Sequence, residues 1–221
     1  MDGLLLVNKP VGITSFDVIR RLRRSTGVRK IGHAGTLDPA ASGLMMMLFG
    51  AGCKQAMSLT KLDKRYVAEV RLGSNSSTGD SEGELTPVSD RIPSVAEVEA
   101  ALKQLTGEIT QVPPVYSAIK INGREAYKRV RAGEQVEIPA RRVMVYENRL
   151  VKYEYPRMEI NAKVSSGTYI RTLAEDLGKL LGTGAYLAGL VRTEVGGYSL
   201  ADAVELEAAG MALVAAQMLD I

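Results

Sequence analysis

The sequence predicts an α+β fold, in which strands and helices come in runs rather than in regular strand–helix–strand alternation. Three segments place apolar residues at helical spacing after a capping or turn signal, and several others alternate apolar with polar residues or form short apolar runs. The chain has 221 residues, of which 46% are hydrophobic and 24% are charged. That length suits one large domain or two small ones, with about 70% of the unfolded surface buried.

The first predicted elements are a strand and a basic helix. The apolar run over residues 4–7 predicts a strand that ends in a turn. Thr14 and Asp17 have the spacing of a capping box, and apolar residues recur at helical intervals from Phe16 onwards. Because Gly27 suits the residue after a helix, we expect a helix of about three turns that ends there.

A loop and two apolar segments come next. Residues 32–43 contain three glycines and a proline, which fit no regular element and predict a loop. Residues 44–49 suit either a buried strand or the core of a helix, and periodicity leaves both open. Residues 64–72 alternate cleanly, with Tyr66 on the apolar side, and predict a strand. The Ser-, Gly- and acid-rich residues 73–93 predict a long connection.

The C-terminal half adds two amphipathic helices and further strands. The spacing of Ser94 and Glu97 again predicts a capped helix start. Prolines, an Asn-Gly pair and many basic side chains predict an exposed insertion over residues 111–142. The other elements expected are a helix over about 95–105, two strands over 143–164, a helix from Ile170 to Gly182 and a buried strand over 185–195.

The formal net charge of +3 hides two basic and two acidic blocks. The net charge is +7 over residues 1–75, −5 over 76–110, +6 over 111–193 and −5 over 194–221. Such a patchwork excludes a histone-like polycation. Six basic side chains without an acid between them form the densest cluster: Arg20, Arg21, Arg23, Arg24, Arg29 and Lys30. A phosphate backbone would bind such a patch, although a solvated helix face gives the same pattern.

Composition and motifs exclude several classes of function. The single cysteine, Cys53, excludes an intramolecular disulfide, and with His33, the single histidine, it cannot complete a zinc cage. The sequence has no Walker A, dinucleotide-binding, HExxH or nucleophile-elbow motif. The longest uncharged run, residues 39–53, is too short to span a bilayer, and the N-terminus lacks the basic region of a signal peptide. We therefore expect a cytoplasmic protein without metal or cofactor.

Four side chains are candidates for chemistry, and each has a structural alternative. Asp38 lies in the glycine-rich loop before a proline, where a carboxylate can act as nucleophile or base, although Asp-Pro also initiates turns. His33, in the same loop, is an ordinary loop hydrogen-bonding residue by the alternative interpretation. Tyr66 equally suits core packing, and Arg171 lies where it can pair with Glu175 one helical turn later.

Five segments along the chain carry distinctive motifs. They are LLLVNKPVGITSFDVIRRLR at 4–23, GHAGTLDPAASGLM at 32–45, KRYV and RLG within 64–73, PPVYSA and NGR within 113–124, and SSGTYIRTLAEDLG at 165–178 followed by LVRT. Together these segments resemble the TruB family of tRNA pseudouridine synthases, in the family's order and over residues 3 to about 205. Two departures are small: Ser76 stands where the family usually has threonine, and Val164 where it commonly has cysteine.

The resemblance implies a fold and a reaction. The fold is that of the pseudouridine synthases, with a central mixed, mainly antiparallel sheet flanked by helices and loops, and with a tRNA-gripping insertion. The reaction isomerises the uridine at position 55 of the tRNA T-loop to pseudouridine after the base is flipped into a pocket. No cofactor is implied.

The resemblance also assigns residues to roles. Asp38 is the catalytic carboxylate, Arg171 holds it ionised and aimed, and Tyr66 stacks on the uracil with its hydroxyl near C5. Three residues match other substrate-binding positions: Tyr169 and Leu190, which line the pocket, and His33, which occupies the space that the flipped base leaves.

The implied partner is tRNA, bound through its T-arm stem-loop by a monomer, without a membrane or a metal. Lys9 would either contact phosphate or support the catalytic loop. The residues expected to contact RNA lie in the first turn, the basic helix and the insertion: Lys9, Arg20, Arg23, Arg24, Lys30, Lys120, Arg124 and Lys128.

Domain organisation and two alternatives complete the expectations. A catalytic domain is expected over residues 1–205, with its insertion at about 111–142, and a short tail over 206–221 in place of the family's RNA-binding PUA domain. One alternative is an RNA-binding tRNA-folding helper with slow or absent catalysis. The other is a guide-RNA-dependent member of the same superfamily that acts on ribosomal RNA.

Overall fold

The structure is a computed structural model that describes residues 1–117, 119–121 and 123–221. The side chains of residues 120, 121, 125, 127 and 131 are outside its description, so the predicted RNA contact Lys120 lies outside the described side chains. The strands are β1 (Gly3–Lys9), β2 (Ile31–Ala34), β3 (Ala41–Phe49), β4 (Lys64–Leu72), β5 (Ser74–Ser76), β6 (Leu85–Pro87), β7 (Gly107–Gln111), β8 (Lys120–Ile121), β9 (Arg124–Glu125), β10 (Arg141–Glu154), β11 (Arg157–Val164), β12 (Ala185–Val195), β13 (Tyr198–Ser199) and β14 (Val204–Glu205). The helices are α1 (Ser15–Thr26), α2 (Ala56–Thr60), α3 (Val95–Gln104), α4 (Ala126–Arg131), α5 (Ile170–Leu181) and α6 (Met211–Ala216).

The predicted α+β class is confirmed, and the chain forms two compact units. The first unit contains Met1–Val67 and Leu190–Ile221, and the second contains Ala68–Gly189. Strand pairing is mixed and mainly antiparallel, as expected. Within the described residues, no helix is long and apolar enough to cross a membrane.

In the first unit, β3 is the central strand. One edge of β3 pairs antiparallel with β1, which pairs on its other side with β14 in parallel. The other edge of β3 pairs with β2 along residues 46–49 and with β12, in parallel, along residues 41–43. Residues 35–40 connect β2 to β3. This loop therefore begins at the end of β2 and ends beside β12, where β3 starts.

The sequence prediction for this region needs one correction. Residues 32–43 are not all loop, because 31–34 form β2 and 41–43 begin β3. Gly32 and His33 gave no strand signal, yet pairing with residues 46–49 of β3, which are buried, brings the short segment 31–34 into the sheet. The open question over residues 44–49 is settled in favour of a strand.

The sequence predicts both ends of helix α1 correctly but not the extent of its buried face. The Thr14 and Asp17 side chains form both bonds of a capping box, and Gly27 ends the helix with a left-handed φ of 70°. The buried apolar residues of the helix are Val18, Ile19 and Leu22, whereas Phe16, the first residue of the predicted apolar recurrence, is 56% exposed.

The core of the first unit is apolar, and the final segment packs back onto it. β14 lies beside β1, and Leu4 and Leu219 exchange backbone hydrogen bonds of 2.9 and 2.8 Å. One cluster of buried core side chains comes from β1, β2, β3 and β12: Leu4, Leu6, Ala34, Leu44, Met46, Leu48 and Val195.

The second unit contains an antiparallel sheet with two helices. β10 pairs with β11 on one side and with β7 on the other. Helix α3 begins with the predicted capping box of Ser94 and Glu97, and α5 ends at Gly182 as expected. The predicted long connection contains the small hairpin of β5 and β6, and the insertion contains the β8–β9 pair and α4.

Candidate active site

The loop over residues 35–40 presents Asp38 on a fixed backbone. The Asp38 side chain is exposed, while its carbonyl accepts a 3.0 Å bond from Ala41 N–H. The Pro39 carbonyl accepts a 2.8 Å bond from Gly12 N–H. On the other side of Asp38, the buried Ser15 hydroxyl accepts from Leu37 N–H at 2.9 Å and donates to the Leu37 carbonyl at 3.0 Å. The carboxylate therefore projects from a backbone that is held on both sides.

Arg192, on β12, contacts the same loop from the opposite direction. Its side chain is fully enclosed, and its donors reach the carbonyls of Leu44 at 2.8 Å, Gly35 at 3.2 Å and Thr36 at 3.4 Å. Since β12 and β3 are in parallel register here, with Leu190 opposite Ala41, the predicted pocket residue Leu190 lies next to the end of the loop. Leu190 itself is half-buried.

Lys9 is a buried structural lysine in this arrangement. Its Nζ donates 2.8 Å bonds to the carbonyls of Pro10 and Ile13, which closes the turn between β1 and α1. Burial lowers the pKa of Lys9 from 10.5 to about 8, although the Asp38 and Asp17 charges oppose the shift. The hydrogen bonds that the structure gives Lys9 therefore hold the β1–α1 turn.

Lys64 is a second buried lysine, which the sequence did not single out. Its Nζ donates to the carbonyls of Thr60 at 2.6 Å and Leu62 at 2.5 Å, just before the strand that carries Tyr66. Burial, together with the charge of Arg192, lowers the pKa of Lys64 to about 8. In the first unit, Lys9, Lys64 and Arg192 are thus buried cations that donate hydrogen bonds to backbone carbonyls.

His33 and Tyr66 occupy strands of the same unit. His33 lies on β2 opposite Met47, two residues before the loop. Its Nδ1 is buried and has no hydrogen-bond partner among the described residues. Burial, reinforced by Arg192, lowers the pKa of His33, so its ring is neutral at neutral pH. Tyr66 lies on β4 and is 8% exposed, so its strand position buries most of the ring, as the alternation predicted.

The second unit contains Arg171 in a buried polar cluster. The Arg171 guanidinium lies 3.4 Å from an Asp80 carboxylate oxygen, with side-chain exposures of 7% and 10%. It also donates to the carbonyls of Thr78 at 3.2 Å and Tyr116 at 2.8 Å. The Asp80 carboxylate in turn accepts from the Thr78 hydroxyl at 2.5 Å and from Glu82 N–H at 3.1 Å.

A tight turn brings Asp80 to this cluster. Gly79 has a φ of +76°, and a Cβ built on it would lie 2.6 Å from a carboxylate oxygen of Glu175. The Ser76 hydroxyl donates to the Asp80 carbonyl at 2.5 Å, a bond that threonine could also make. Burial raises the pKa of Glu175, and the charge of Arg171 opposes that shift.

Tyr169 precedes α5, the helix of Arg171, and is held by a buried glutamine. The Gln111 side chain accepts from Tyr169 N–H at 3.1 Å and donates to its carbonyl at 3.3 Å. The guanidinium of Arg141 lies 5.1 Å from the centre of the Tyr169 ring, in a cation–π contact. The ring of this half-buried tyrosine is therefore fixed in position.

The predicted RNA-contacting residues other than Lys9 lie at the surface where they are described. Arg20, Arg23, Arg24 and Lys30 are all exposed, on or just after α1. Arg20 pairs with Asp17, and Arg23 donates to the Ile31 carbonyl at 3.5 Å. In the insertion, Lys128 is exposed and Arg124 lies 3.4 Å from Glu134.

Sequence reasoning missed three residues that organise the candidate site. Asp80, Gln111 and Arg192 hold Arg171, Tyr169 and the Asp38 loop. The sequence held a signal for two of them, since Asp80 ends the segment SSTGD at 76–80, in which Ser76 departs from the family, and Arg192 lies in the LVRT segment that resembles it. Among the described residues, no group of three or more His, Cys, Asp or Glu side chains clusters as a metal site would require.

Comparison with known protein families gives a match over most of the chain. Residues 23–170 match the family model described as TruB family pseudouridylate synthase, N-terminal domain. Residues 171–220 match the model of the tRNA pseudouridylate synthase B C-terminal domain.

Curated relatives and solved structures extend this finding. The tRNA pseudouridine synthase B of Geobacillus thermodenitrificans is 44% identical over 215 residues, which cover 94% of this chain and 71% of that protein. The corresponding protein of Burkholderia lata is 46% identical over 208 residues, and this chain spans 65% of its length. A chain in the crystal structure of a Cbf5-Nop10-Gar1 complex is similar with a TM-score of 0.74 and 27% identity, over 93% of this chain and 52% of that one. A chain of the archaeal box H/ACA sRNP Nop10-Cbf5 complex gives a TM-score of 0.69 at 25% identity, over 94% and 52%.

Proposed function

Because this chain belongs to the TruB family of pseudouridylate synthases, which are isomerases, we propose that it converts a uridine of tRNA to pseudouridine. The proposed target is the uridine at position 55 in the T-loop. The observation that carries the proposal is the family match across residues 23–220, which includes the Asp38 loop and the Arg171 helix. We assign the reaction to a catalytic domain over residues 1–205, acting as a monomer in the cytoplasm.

The reaction rearranges one nucleoside without adding or removing atoms. The bond between N1 of uracil and C1′ of ribose breaks, the base turns, and C5 bonds to C1′ while the proton on C5 leaves and N1 gains one. The base must first be flipped out of the loop, at a cost of a few kcal/mol. Since the product is an isomer, the reaction consumes no redox equivalent and no phosphate donor.

Asp38 is proposed to act at C1′, either by adding to it or by assisting cleavage of the glycosidic bond. Its exposed carboxylate is accessible to a flipped nucleotide, and the bonds to Leu37, Pro39 and Ala41 restrict its backbone. A pre-positioned nucleophile avoids the entropy loss of finding the reacting atom. The geometry of this loop therefore supports the role that the resemblance assigns.

The other residues of the first unit are proposed to receive the base. Tyr66 would stack on the uracil, with its hydroxyl near C5, where the proton leaves. Leu190 would add an apolar wall beside the loop. His33 would occupy the space left by the flipped base with a neutral ring, since burial lowers its pKa.

Arg171 and Tyr169 are proposed to complete the reaction machinery. The guanidinium is buried and oriented by Asp80, Thr78 and Tyr116, so it can stabilise a carboxylate and developing negative charge without reorganising. Tyr169 would line the pocket. For Arg171→Ala we expect a large loss of kcat and a modest change in tRNA affinity, whereas a loss confined to affinity would make it a phosphate contact.

The exposed basic residues of α1 and of the insertion are proposed to bind the T-arm. Arginine and lysine release counterions from a phosphate backbone, which gives affinity without sequence preference. The positive charge of these side chains is opposite to that of RNA phosphates, which supports the proposal. The exposure of Arg20, Arg23, Arg24 and Lys30 supports it as well.

The decisive experiment is tritium release from transcribed tRNA that carries ³H at C5 of its uridines. Wild-type protein should release about one equivalent per tRNA, and replacing the uridine at position 55 with cytidine should abolish the release. Asp38→Asn should abolish it while binding tRNA, and Asp90→Asn, a matched change of an exposed aspartate, should leave it unchanged.

Each alternative predicts a different result. Tight tRNA binding without tritium release from wild-type protein would establish the folding-helper alternative instead. Turnover that requires an added guide RNA would assign the chain to the guide-dependent branch, whereas turnover on an isolated T-arm stem-loop would exclude that dependence. Full turnover by Asp38→Asn would show that the catalytic carboxylate is assigned wrongly.

A further inference from the structure

We infer that Arg192 is a positioning residue for the Asp38 loop: its guanidinium fixes the backbone carbonyls that precede Asp38 and thereby sets where the carboxylate points. The kinetic part of this inference rests on the proposed function. The structural part does not, and it can be tested on the protein without RNA.

The geometry of Arg192 is that of a clamp between a loop and a strand. Its Nε donates to the Leu44 carbonyl on β3 at 2.8 Å, and the two ends of the guanidinium reach the Gly35 and Thr36 carbonyls at 3.2 and 3.4 Å. Thr36 is two residues before Asp38. One rigid planar group therefore ties the start of the loop to the strand that follows it.

The burial of Arg192 indicates that its charge has a specific role. Arg192 is 1% exposed, and burying a guanidinium is costly unless charged hydrogen bonds compensate for lost water. The hydrogen bonds that the structure gives it all go to backbone carbonyls. A core position that needed only volume would be filled at lower cost by leucine or methionine, so the charge and the fork geometry point to a positional task.

Two glycines lie on either side of this contact. Gly35 has a φ of +95°, a backbone conformation that favours glycine, and a Cβ built on it would be in ordinary contact, at 3.4 Å, with an Arg192 terminal nitrogen. Gly43 has a φ of +104°, and its Cβ would lie 2.3 Å from the backbone carbonyl oxygen of Arg192, a separation that no side chain tolerates. The close approach of β3 to the backbone of β12 therefore requires glycine at position 43, and this approach places residue 192 beside the loop.

The single histidine provides a probe that is independent of activity. The charge of Arg192 contributes to the lowered pKa of His33, after burial itself. Because the chain has one histidine, one imidazole resonance reports this pKa by NMR without assignment ambiguity. The Leu37 amide, which donates to Ser15, is a second probe, since its hydrogen exchange reports whether the loop stays closed.

The test compares Arg192→Lys and Arg192→Gln with the wild type, and Arg149→Gln on the exposed face of β10 is the matched control. Lysine keeps the charge but cannot bond three spread carbonyls, whereas glutamine loses both charge and fork. We expect kcat for tritium release to fall about 10²-fold in Arg192→Gln, with the KM for tRNA within about 3-fold, because misplacing a reacting group by about 1 Å has an effect of that size. Arg149→Gln should match the wild type.

The two variants should separate position from charge. Arg192→Gln should raise the pKa of His33, while Arg192→Lys should leave it lowered yet still lose at least about 10-fold in kcat. In both variants the Leu37 amide should exchange faster than in the wild type. Wild-type kcat in both folded variants, or unchanged Leu37 exchange in both, would overturn the inference.

Two further results keep the inference testable. If neither Arg192 variant folds, Arg192→Met takes their place, because it keeps most of the side-chain volume and removes the buried charge. It should lower kcat at unchanged KM and speed Leu37 exchange, and wild-type values would overturn the inference. If wild-type protein releases no tritium, the proposed function fails, while Leu37 exchange in the variants still decides whether Arg192 holds the loop.

Discussion

The ion pair between Asp80 and Arg171 is expected to contribute a coupling free energy of about 2–3 kcal/mol to folding, near the upper end for contacting residues. The two charged groups are 3.4 Å apart and almost fully enclosed. At an effective dielectric constant of about 20, such charges attract by about 5 kcal/mol, and the loss of hydration on burial removes part of that. The remainder should still exceed that of any exposed pair in the chain, because water screens exposed pairs.

A double-mutant cycle isolates this coupling. Asp80→Asn keeps the shape of the side chain and can still accept from the Thr78 hydroxyl, and Arg171→Gln keeps a donor for the Tyr116 carbonyl. The free energy of unfolding is measured by urea denaturation for the wild type, both single variants and the double variant. Each single variant should lose about 3 kcal/mol, because removing one partner leaves a buried charge with less compensation.

An exposed pair in the same unit provides the control. Arg149 and Glu147 are 3.7 Å apart, with side-chain exposures of 76% and 31%, and their cycle should give less than about 1 kcal/mol. A coupling below about 0.5 kcal/mol for Asp80 and Arg171, or one equal to the control, would refute the reasoning. If the pair also orients the guanidinium for catalysis, Asp80→Asn should lower kcat more than it raises KM.

Three further changes have definite expected outcomes. Burial lowers the pKa of Lys9 from 10.5 to about 8, so between these pH values the unfolded chain binds a proton that the folded chain does not. The free energy of unfolding of the wild type should therefore rise by about 2 kcal/mol relative to that of Lys9→Met between pH 8 and 10. Urea denaturation that shows a constant difference between the two proteins would contradict this. Gly43→Ala should destabilise the protein by about 3 kcal/mol or more, because the added Cβ meets the Arg192 backbone. Gly12→Ala is the control, since Gly12 has a similar φ of +89° but no described atom lies within 4 Å of the added Cβ. This variant should lose only about 1–2 kcal/mol in the same denaturation assay. Tyr66→Phe should lower kcat for tritium release by about 10² or more if its hydroxyl takes part in proton transfer at C5, and wild-type kcat would limit Tyr66 to stacking.

The parts of the fold that the sequence predicted are those whose signals are local. The capping boxes at Thr14 and Ser94 join residues three apart, so the pattern that forms the bond is visible in the sequence itself. Strand β4 was equally visible, because alternation over nine residues has no helical equivalent. The signals for these elements thus lie within the elements themselves.

The failures share a non-local cause. Strand β2 has a histidine, a glycine and no alternation, and it exists because β3 offers it an edge. Phe16 continues the apolar recurrence of α1 by spacing, yet only the packing of the helix determines that Val18 and not Phe16 is buried. Periodicity therefore predicts that a helix has a buried apolar face, but it does not predict which residues at the edge of that face are buried.

The same limit applies to the candidate site. Asp38, Tyr66 and Arg171 were identified because their neighbours in sequence resemble family motifs, whereas the groups that orient them act over long separations. Arg171 and Asp80 are 91 residues apart, and Arg192 bonds a carbonyl 157 residues away. A sequence motif can therefore contain Asp80 or Arg192, but only the folded structure shows which groups they contact.

Charge counted along the sequence overstates the charge that RNA can reach. The +7 block over residues 1–75 includes Lys9 and Lys64, and both point their ammonium groups at backbone carbonyls in the interior. Only the exposed cations, such as Arg24, can release counterions from a phosphate. The salt dependence of tRNA binding should therefore distinguish the two kinds of basic residue.

A measurement of that dependence tests the distinction directly. If Arg24 contacts a phosphate, Arg24→Gln should reduce the slope of log K against log salt by about 0.7–0.9, one phosphate's share. Lys9→Met should leave the slope unchanged, because a lysine bonded to Pro10 and Ile13 neutralises no phosphate. Filter binding at four salt concentrations suffices. An equal loss of slope in both variants would mean that Lys9 leaves its carbonyl partners when RNA binds, and the buried placement would then describe only the free protein.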